Sequence, residues 1–311
     1  MNTTILVSEF ISPQALQFLR EKHDVVYDPE LYKDTLKIKE AIKNVQGFIV
    51  RNLTQVSEDL LSAAPNLKVV GRLGVGLENI NLPGCAQRNI KVIPATGANA
   101  ESVAEYVIGS VIALSRGFQK ATQITLEGKW PRSIFSSQAE CSGKYLGIIG
   151  FGSIGKVLAK KANMLGIRCI AYDPFLSGAE VSMGDFSVPL MSLNDVLEKS
   201  DYVSLHLPLL PDTKNLFNAA TLDLMKEGSI LINTARGGIL DEYALAERLR
   251  SGRIGGAAID VFSAEPALDL SHFSNIDHLI LTPHVAGVTA ESNERVSQLI
   301  ANEVSQYLEK K

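Results

Sequence analysis

Cysteine is scarce in this chain: its 311 residues hold three, Cys85, Cys141 and Cys169. They are far apart, odd in number and form no C-x-x-C pair. That spacing offers neither a disulfide framework nor a zinc site, so buried inert thiols are expected. Long apolar runs are missing too, and no segment reads as a membrane span. The opening Met1-Asn2-Thr3-Thr4-Ile5 lacks a basic stretch leading into a signal-type apolar segment. There is no internal repeat and no low-complexity segment. Nor is there an excess of positive charge. Lys and Arg number 30 against 34 Asp and Glu, a net charge of −4. That balance argues against a nucleic-acid or membrane-surface partner. The expectation left by these absences is a cytoplasmic globular protein.

What is present is apolar residues, 46% of the total, in a chain long enough for two domains. Short apolar runs alternate with helical patterns almost throughout, the signature of α/β layers around parallel sheets. The first third offers strands at Ile5–Val7, Val25–Tyr27, Phe48–Val50, Leu67–Val70 and Lys91–Ile93, with helices such as Pro13–Glu21 and Ser57–Ala64 between them. Asn99 to about Glu127 reads as one long helix, with Val103, Val107, Ile108, Val111 and Ile112 forming an apolar stripe for core packing. From Tyr145 the strand rhythm resumes, at Cys169–Tyr172, Tyr202–His206, Ile230–Thr234, Ala257–Val261 and Leu279–Thr282. The last helix, about Ala290–Leu308, has no strand after it.

Residues Tyr145–Asp173 carry a specific pattern. A strand, Tyr145–Ile149, runs into Gly150-Phe151-Gly152-Ser153-Ile154-Gly155. A helix to about Leu165 follows, then a second strand ending in an acid, Asp173. The order strand, G-x-G-x-x-G, helix, strand, acid is the dinucleotide-binding fingerprint. Gly150 permits a tight turn, Gly152 lets backbone N–H groups approach a pyrophosphate, and Gly155 lets the helix pack close to the strand. The helix N-terminus adds orphan N–H groups and a positive dipole. Asp173 offers acceptors to a ribose diol. The alternative is a tight strand–helix turn with no ligand.

In open α/β sheets, ligands bind beyond the carboxyl ends of the strands. Each later strand here ends on polar or ionisable groups: Asp173; His206, followed by the proline-rich loop to Thr213; Thr234-Ala235-Arg236-Gly237-Gly238; Asp260 with Glu265 close behind; and Pro283-His284. Polar loops alone would explain some of this, but not so consistent a set. Arg236 is either a surface arginine in a glycine-bordered turn or a planar cation suited to bidentate carboxylate binding. Glu265 and His284 are either a helix cap and a packed histidine or an acid–base pair. A carboxylate beside an imidazole favours the protonated ring and fixes its orientation. His23, His272 and His278 stand in polar or loop contexts and are poorer candidates.

Through these residues the chain resembles the D-isomer-specific 2-hydroxyacid dehydrogenases. Within them it is most similar to D-3-phosphoglycerate dehydrogenases without their C-terminal regulatory domain. The motifs in question are Val70-Gly71-Arg72-Leu73-Gly74-Val75-Gly76, Gly128-Lys129-Trp130, Gly150–Gly155, His206–Thr213, Thr234–Gly238, Asp260–Pro266 and Pro283-His284. The resemblance implies an α/β architecture of two Rossmann- or flavodoxin-like doubly wound parallel-sheet domains with the active site in the cleft. Residues 1–98 plus 288–311 would form a discontinuous substrate domain, and 99–287 the NAD-binding domain. It also implies a homodimer built through the NAD-binding domain.

The roles implied for individual residues follow. Arg236 would bind the substrate carboxylate and polarise the C2 oxygen. His284 would exchange a proton with that oxygen, held by Glu265. Asp260 would bind the nicotinamide carboxamide. Backbone groups of Val75 and Gly76 would grip the carboxylate. His206, Pro208, Thr213, Thr234, Ala235 and Gly287 would border the cofactor, together with Gly150, Phe151, Gly152, Ser153, Ile154 and Gly155. No metal is needed. A formate dehydrogenase of similar architecture pairs its His with Gln, so Glu265 favours a hydroxyacid/ketoacid couple.

Asp173 favours NAD, because a 2′-phosphate would meet its carboxylate. Pro174 and Phe175 follow with no cation, and Arg168 begins the strand at its far end. The substrate is less determined. Arg51 and Arg72 follow strands of the first domain, and a plain two-carbon acid would hardly need two more cations. They point to a second anionic group, unless they serve structural ion pairs. 3-Phosphoglycerate is the first expectation. Sulfolactate satisfies the same arginines, and hydroxypyruvate or glyoxylate reduction stays open. The segment Pro94–Asn99 departs from the phosphoglycerate dehydrogenase pattern, and Leu73 and Leu77 would reshape the pocket wall. A dinucleotide-sensing corepressor, which can retain the same Arg, Glu and His, is the non-enzyme alternative.

Overall fold

A computed structural model describes residues 3–310; Met1, Asn2 and Lys311, which the expected first domain includes, lie outside it. The chain divides into two compact units, Met1–Asn99 with Val288–Lys311, and Ala100–Gly287. Each is an α/β unit on a parallel sheet.

In the smaller unit the strands are β1 (Thr4–Val7), β2 (Asp24–Tyr27), β3 (Gly47–Val50), β4 (Val69–Arg72) and β5 (Lys91–Pro94). Their order is β2-β1-β3-β4-β5, every pair parallel. Such a sheet must be covered on both faces, which is why β3 is buried along its length. Leu31, Ile38, Ile42, Leu60 and Leu61 cover one face, against Leu6, Phe48, Val50 and Val70. The last helix, Ala290–Glu309, packs Val296, Ile300, Ala301, Val304 and Leu308 on the other, against Ile5, Val7, Ile49 and Val69. Burying each large aliphatic side chain stabilises by about 1.5–3 kcal/mol. Gly71 sets the helix's approach: a Cβ there would lie 2.6 Å from Ile300 Cγ2 and 2.7 Å from Val304 Cγ2. The final helix thus belongs to the first sheet.

The larger unit contains β6 (Tyr145–Ile149), β7 (Arg168–Tyr172), a short antiparallel hairpin β8 (Glu180–Ser182) and β9 (Ser187–Pro189), then β10 (Tyr202–Leu205), β11 (Ser229–Asn233), β12 (Ile254–Ile259) and β13 (Leu279–Leu281). The main sheet is ordered β13-β12-β11-β10-β6-β7, again all parallel. All its carboxyl ends therefore share one rim. The chain runs from β6 outward to β7 and then returns to the other side of β6, so the topological switch point lies between β6 and β10.

Three details differ from expectation. The long helix is two helices, Ala100–Arg116 and Phe118–Leu126, because Gly117 turns left-handed at φ 60°. The first buries Val103, Val107 and Val111 as its stripe requires. The β8–β9 hairpin has no counterpart among the expected strands. β12 starts at Ile254 rather than Ala257, because Gly255 and Gly256 hide its apolar pattern. A Cβ on Gly255 would lie 2.3 Å from the Gly228 carbonyl oxygen, so a side chain has no room there. Among the described residues no helix is long and apolar enough to cross a membrane. Burial pushes the Cys169 thiol up to about 12 and raises that of Cys85, so neither supplies a thiolate near neutral pH.

Candidate active site

β6 delivers the chain into Gly150, whose φ of 94° is a left-handed value. A Cβ there would stand 2.5 Å from the His206 carbonyl oxygen, so glycine is required where the loops after β6 and β10 touch. At Gly155 a Cβ would meet Gly150 O at 2.7 Å, and its absence seats the Ser153–Met164 helix on the strand. Gly152 differs: a Cβ there would meet nothing within 4 Å. The loop is open at that point, and the helix behind it has no side-chain cap. Phe151 anchors the loop with a buried ring, while Ser153 is exposed and Ile154 half-buried.

Asp173 ends β7 and ties two turns together. Its Oδ2 accepts from Phe151 N–H at 2.8 Å and its Oδ1 from Phe175 N–H at 3.0 Å. Each oxygen keeps a lone pair for a ribose hydroxyl. After β10, His206 Nε2 lies 2.9 Å from Ser204 Oγ. Burial takes this imidazole down to about 4, so it is neutral at pH 7. His206 Nδ1 and, after β11, Thr234 Oγ1 are buried polar atoms with no hydrogen-bond partner in the structure. Thr213 stitches its own loop, accepting from Leu210 N–H and donating to the Pro208 carbonyl. An open glycine cradle, an uncapped helix end, a diol acceptor and two orphaned polar atoms on one rim fit a dinucleotide. Among the described residues no group of three or more His, Cys, Asp or Glu could hold a metal ion.

The ionisable groups follow β11, β12 and β13, adjacent strands on the same rim. Buried Asn233 staples the Arg236 turn: its Nδ2 donates to Arg236 O and its Oδ1 accepts from Ala235 N–H. Arg236 donates through one terminal nitrogen to Ala235 O at 2.7 Å. A Cβ on Gly237 would fall 1.8 Å from Phe262 O, so the Arg236 turn and the loop after β12 touch backbone to backbone. Glu265 sits in that second loop. Its Oε1 accepts from Phe262 N–H, and its Oε2 lies 2.7 Å from His284 Nδ1. A carboxylate only accepts, so Nδ1 carries the hydrogen and Nε2 is left to exchange a proton elsewhere. Both side chains reach solvent, His284 at 49% and Glu265 at 36% exposure.

Asp260 is 1% exposed and does more than sequence reasoning gave it. Its Oδ1 accepts from Val285 N–H and the Thr282 hydroxyl, and its Oδ2 from Ala286 N–H. It is the clamp of the His284 loop, with a lone pair left on Oδ2. Gly287 closes this unit at its boundary.

In the smaller unit the switch point falls between β1 and β3. Buried Glu9 occupies it, accepting from Arg51, Leu53 and Thr54 N–H groups. Asn79 donates to the carbonyls of Arg51 and Thr54. The Arg51 guanidinium hydrogen-bonds Asn293 and lies 5.6 Å from the Phe10 ring centre. Burial lowers its pKa, opposed by Glu9. Arg72 ends β4 and folds over Gly74, whose Cβ position its guanidinium occupies. Val75 is exposed and Gly76 buried in the turn that follows.

The family described as "D-isomer specific 2-hydroxyacid dehydrogenase, NAD binding domain" matches residues 108–286. An (S)-sulfolactate dehydrogenase of Chromohalobacter salexigens is 43% identical over 304 residues, 98% of each chain. The chain belongs to the D-isomer-specific 2-hydroxyacid dehydrogenases. It is an NAD-dependent enzyme of that family. A hydroxypyruvate reductase of Thermotoga maritima is 38% identical, over 93% of each chain. A D-3-phosphoglycerate dehydrogenase of Archaeoglobus fulgidus is 34% identical over 96% of this chain, which spans 56% of that protein. Among solved structures, a Thermus thermophilus protein superposes with a TM-score of 0.88 at 27% identity, covering 99% of this chain and 98% of that one.

Sequence reasoning missed three buried groups of this dehydrogenase: Glu9, Asn79 and Asn233. Glu9 left one usable signal, an acid directly after an apolar strand. The two asparagines act on backbone atoms and leave none.

Proposed function

We propose that the dehydrogenase interconverts a three-carbon D-2-hydroxyacid and its 2-ketoacid in which the third carbon carries a tetrahedral anion. A sulfonate, as in sulfolactate and 3-sulfopyruvate, is the first reading. The observation that carries the reaction is the Glu265–His284 pair at 2.7 Å on the same rim as Arg236. Bound NAD(H) supplies or accepts the hydride at C2. In the reducing direction His284 Nε2 gives a proton to the C2 oxygen and regains one from solvent. Glu265 holds the ring through Nδ1. Arg236 binds the substrate carboxylate and stabilises the charge growing on the C2 oxygen. Val75 and Gly76 offer backbone groups to the same carboxylate. The glycine loop, Asp173, His206, Pro208, Thr213, Thr234 and Ala235 hold the cofactor, with Asp260 and Gly287 bordering the nicotinamide.

Arg51 and Arg72 are assigned to the second anion. The 43% identity to a sulfolactate dehydrogenase over nearly all of both chains supports sulfonate. Phosphate is the second reading, favoured by the same two arginines and by the phosphoglycerate dehydrogenase relatives. A panel of 3-sulfopyruvate, 3-phosphohydroxypyruvate, hydroxypyruvate and glyoxylate with NADH decides between them. The expected kcat/KM order places 3-sulfopyruvate first, and Arg72→Ala should penalise the two doubly anionic substrates far more than glyoxylate. Equal losses on all four would remove the second-anion site. The active form is proposed to be a homodimer through the larger unit. Its Phe118–Leu126 helix has no buried residue, and Leu126 and Trp130 are 84% and 79% exposed. Sedimentation at monomer mass would dismiss that assembly.

A further inference from the structure

His284 is held in an unusual backbone conformation, and the group that holds it is itself held from a distant helix. Its φ is 58°, in the left-handed region that a residue with a Cβ occupies at a cost of about 1–2 kcal/mol. Such a conformation persists only where its surroundings over-determine it. Here Asp260 does so. Its main-chain carbonyl accepts from His284 N–H at 2.8 Å, and its carboxylate accepts from the next two N–H groups, Val285 at 2.8 Å and Ala286 at 2.9 Å. The fourth contact is the Thr282 hydroxyl, at 2.6 Å from Oδ1.

That hydroxyl has a second partner. Tyr106 Oη, on the Ala100–Arg116 helix, lies 2.6 Å from Thr282 Oγ1. A hydroxyl has one proton, and a carboxylate can only accept. Thr282 therefore donates to Asp260 and accepts from Tyr106. The chain has one polarity: Tyr106 O–H to Thr282 O–H to the Asp260 carboxylate. Burial and the nearby Asp260 push the Tyr106 phenol up, so it remains a donor. Each link is short and partly buried, where a chain of hydrogen bonds strengthens its members.

We infer that Tyr106 and Thr282 are positioning residues for the reaction: through Asp260 they fix the left-handed turn that aims His284. This rests on the acid–base reading of His284 given above. Neither residue needs to touch substrate. They act on the orientation of the proton donor, and a donor misplaced by about 1 Å costs on the order of 100-fold in rate.

The test compares Thr282→Val, Thr282→Ser, Tyr106→Phe and His284→Ala, measuring kcat, the KM of the ketoacid, NADH affinity by fluorescence and the melting temperature. Thr282→Val should lower kcat about 10- to 100-fold, with NADH affinity close to wild type. Thr282→Ser restores the hydroxyl and should restore most of kcat. Tyr106→Phe should lower kcat in the same sense by a smaller factor, with KM unchanged. Wild-type kcat in Thr282→Val beside an inert His284→Ala would overturn the inference alone, and so would a serine variant as slow as the valine. If His284→Ala keeps wild-type kcat, the acid–base reading itself fails. Should Thr282→Val not fold, Tyr106→Phe decides, and an unchanged kcat there overturns the proposal.

Discussion

The two units use the same kind of parallel sheet and treat its switch point in opposite ways. Between β1 and β3 the crevice is filled by the Glu9 carboxylate, which satisfies three N–H groups of the Arg51–Thr54 loop. Between β6 and β10 it is emptied by glycine, with open space at Gly152 and an uncapped helix end. Topology supplies a crevice at the carboxyl ends in both cases. Its chemistry comes from the first residues after the strand. A carboxylate already in place satisfies the N–H groups of its loop and stiffens it, whereas a missing side chain leaves N–H groups free to take a pyrophosphate.

The sharpest way to break that contrast is to give the open crevice what the closed one has. Gly152→Glu puts an anionic side chain into the empty space, and NADH affinity should fall on the order of 1,000-fold, about 4 kcal/mol. Fluorescence titration checks it, with circular dichroism confirming the fold. Unchanged affinity would show that this loop is not the cradle. The converse experiment empties the filled crevice. Glu9→Ala strips three buried or part-buried N–H groups of their acceptor, each worth about 1–3 kcal/mol. With water entering to compensate, a loss of about 2–4 kcal/mol in urea unfolding is expected, and NADH affinity should stay as in the wild type. A variant as stable as the wild type would deny Glu9 its structural place.

The smallest effect concerns charge. His206 flanks the open crevice and is neutral, with its pKa taken down to about 4 by burial. Its ordinary value is 6.5, so between pH 6.5 and 4 the unfolded chain binds a proton that the folded chain refuses. Stability contributed by the neutral ring is complete above about pH 6.5 and drains away as the pH falls, by about 1 kcal/mol at about pH 5.5. Replacing the ring by Gln should flatten the acid limb of the melting temperature between about pH 7 and about pH 5. An unaltered limb would place the titration on another group.

Much of this was legible in the sequence because it is local. The glycine spacing, the acid at Asp173 and the polar residues after each strand all lie within a few positions of an apolar run, and the strand-end rule does the rest. The strand-end rule singles out Arg236, Glu265 and His284, and the structure brings the last two within 2.7 Å. What escaped is either concealed or long-range. Gly117 sits inside a helical pattern it breaks, and Gly255 and Gly256 mask the start of β12. Glu9 finds its partners 42 to 45 residues away. The sequence offers Asp260 as a cofactor contact and does not show its hydrogen-bond partners, which lie 22 to 26 residues downstream in a loop whose path the sequence does not reveal.

The bare contact between Gly237 and the Phe262 carbonyl joins two loops that the proposed chemistry needs to keep in step. With no side chain between them, the Arg236 turn bears directly on the backbone of the Glu265 loop. In the proposed reaction the carboxylate anchor and the brace behind the proton donor would then move together, and their separation would be steadier than either position. A methyl group at 237 would act as a spacer and let each loop wander alone. The loss would appear as broadened motion before it appeared as a lower melting point.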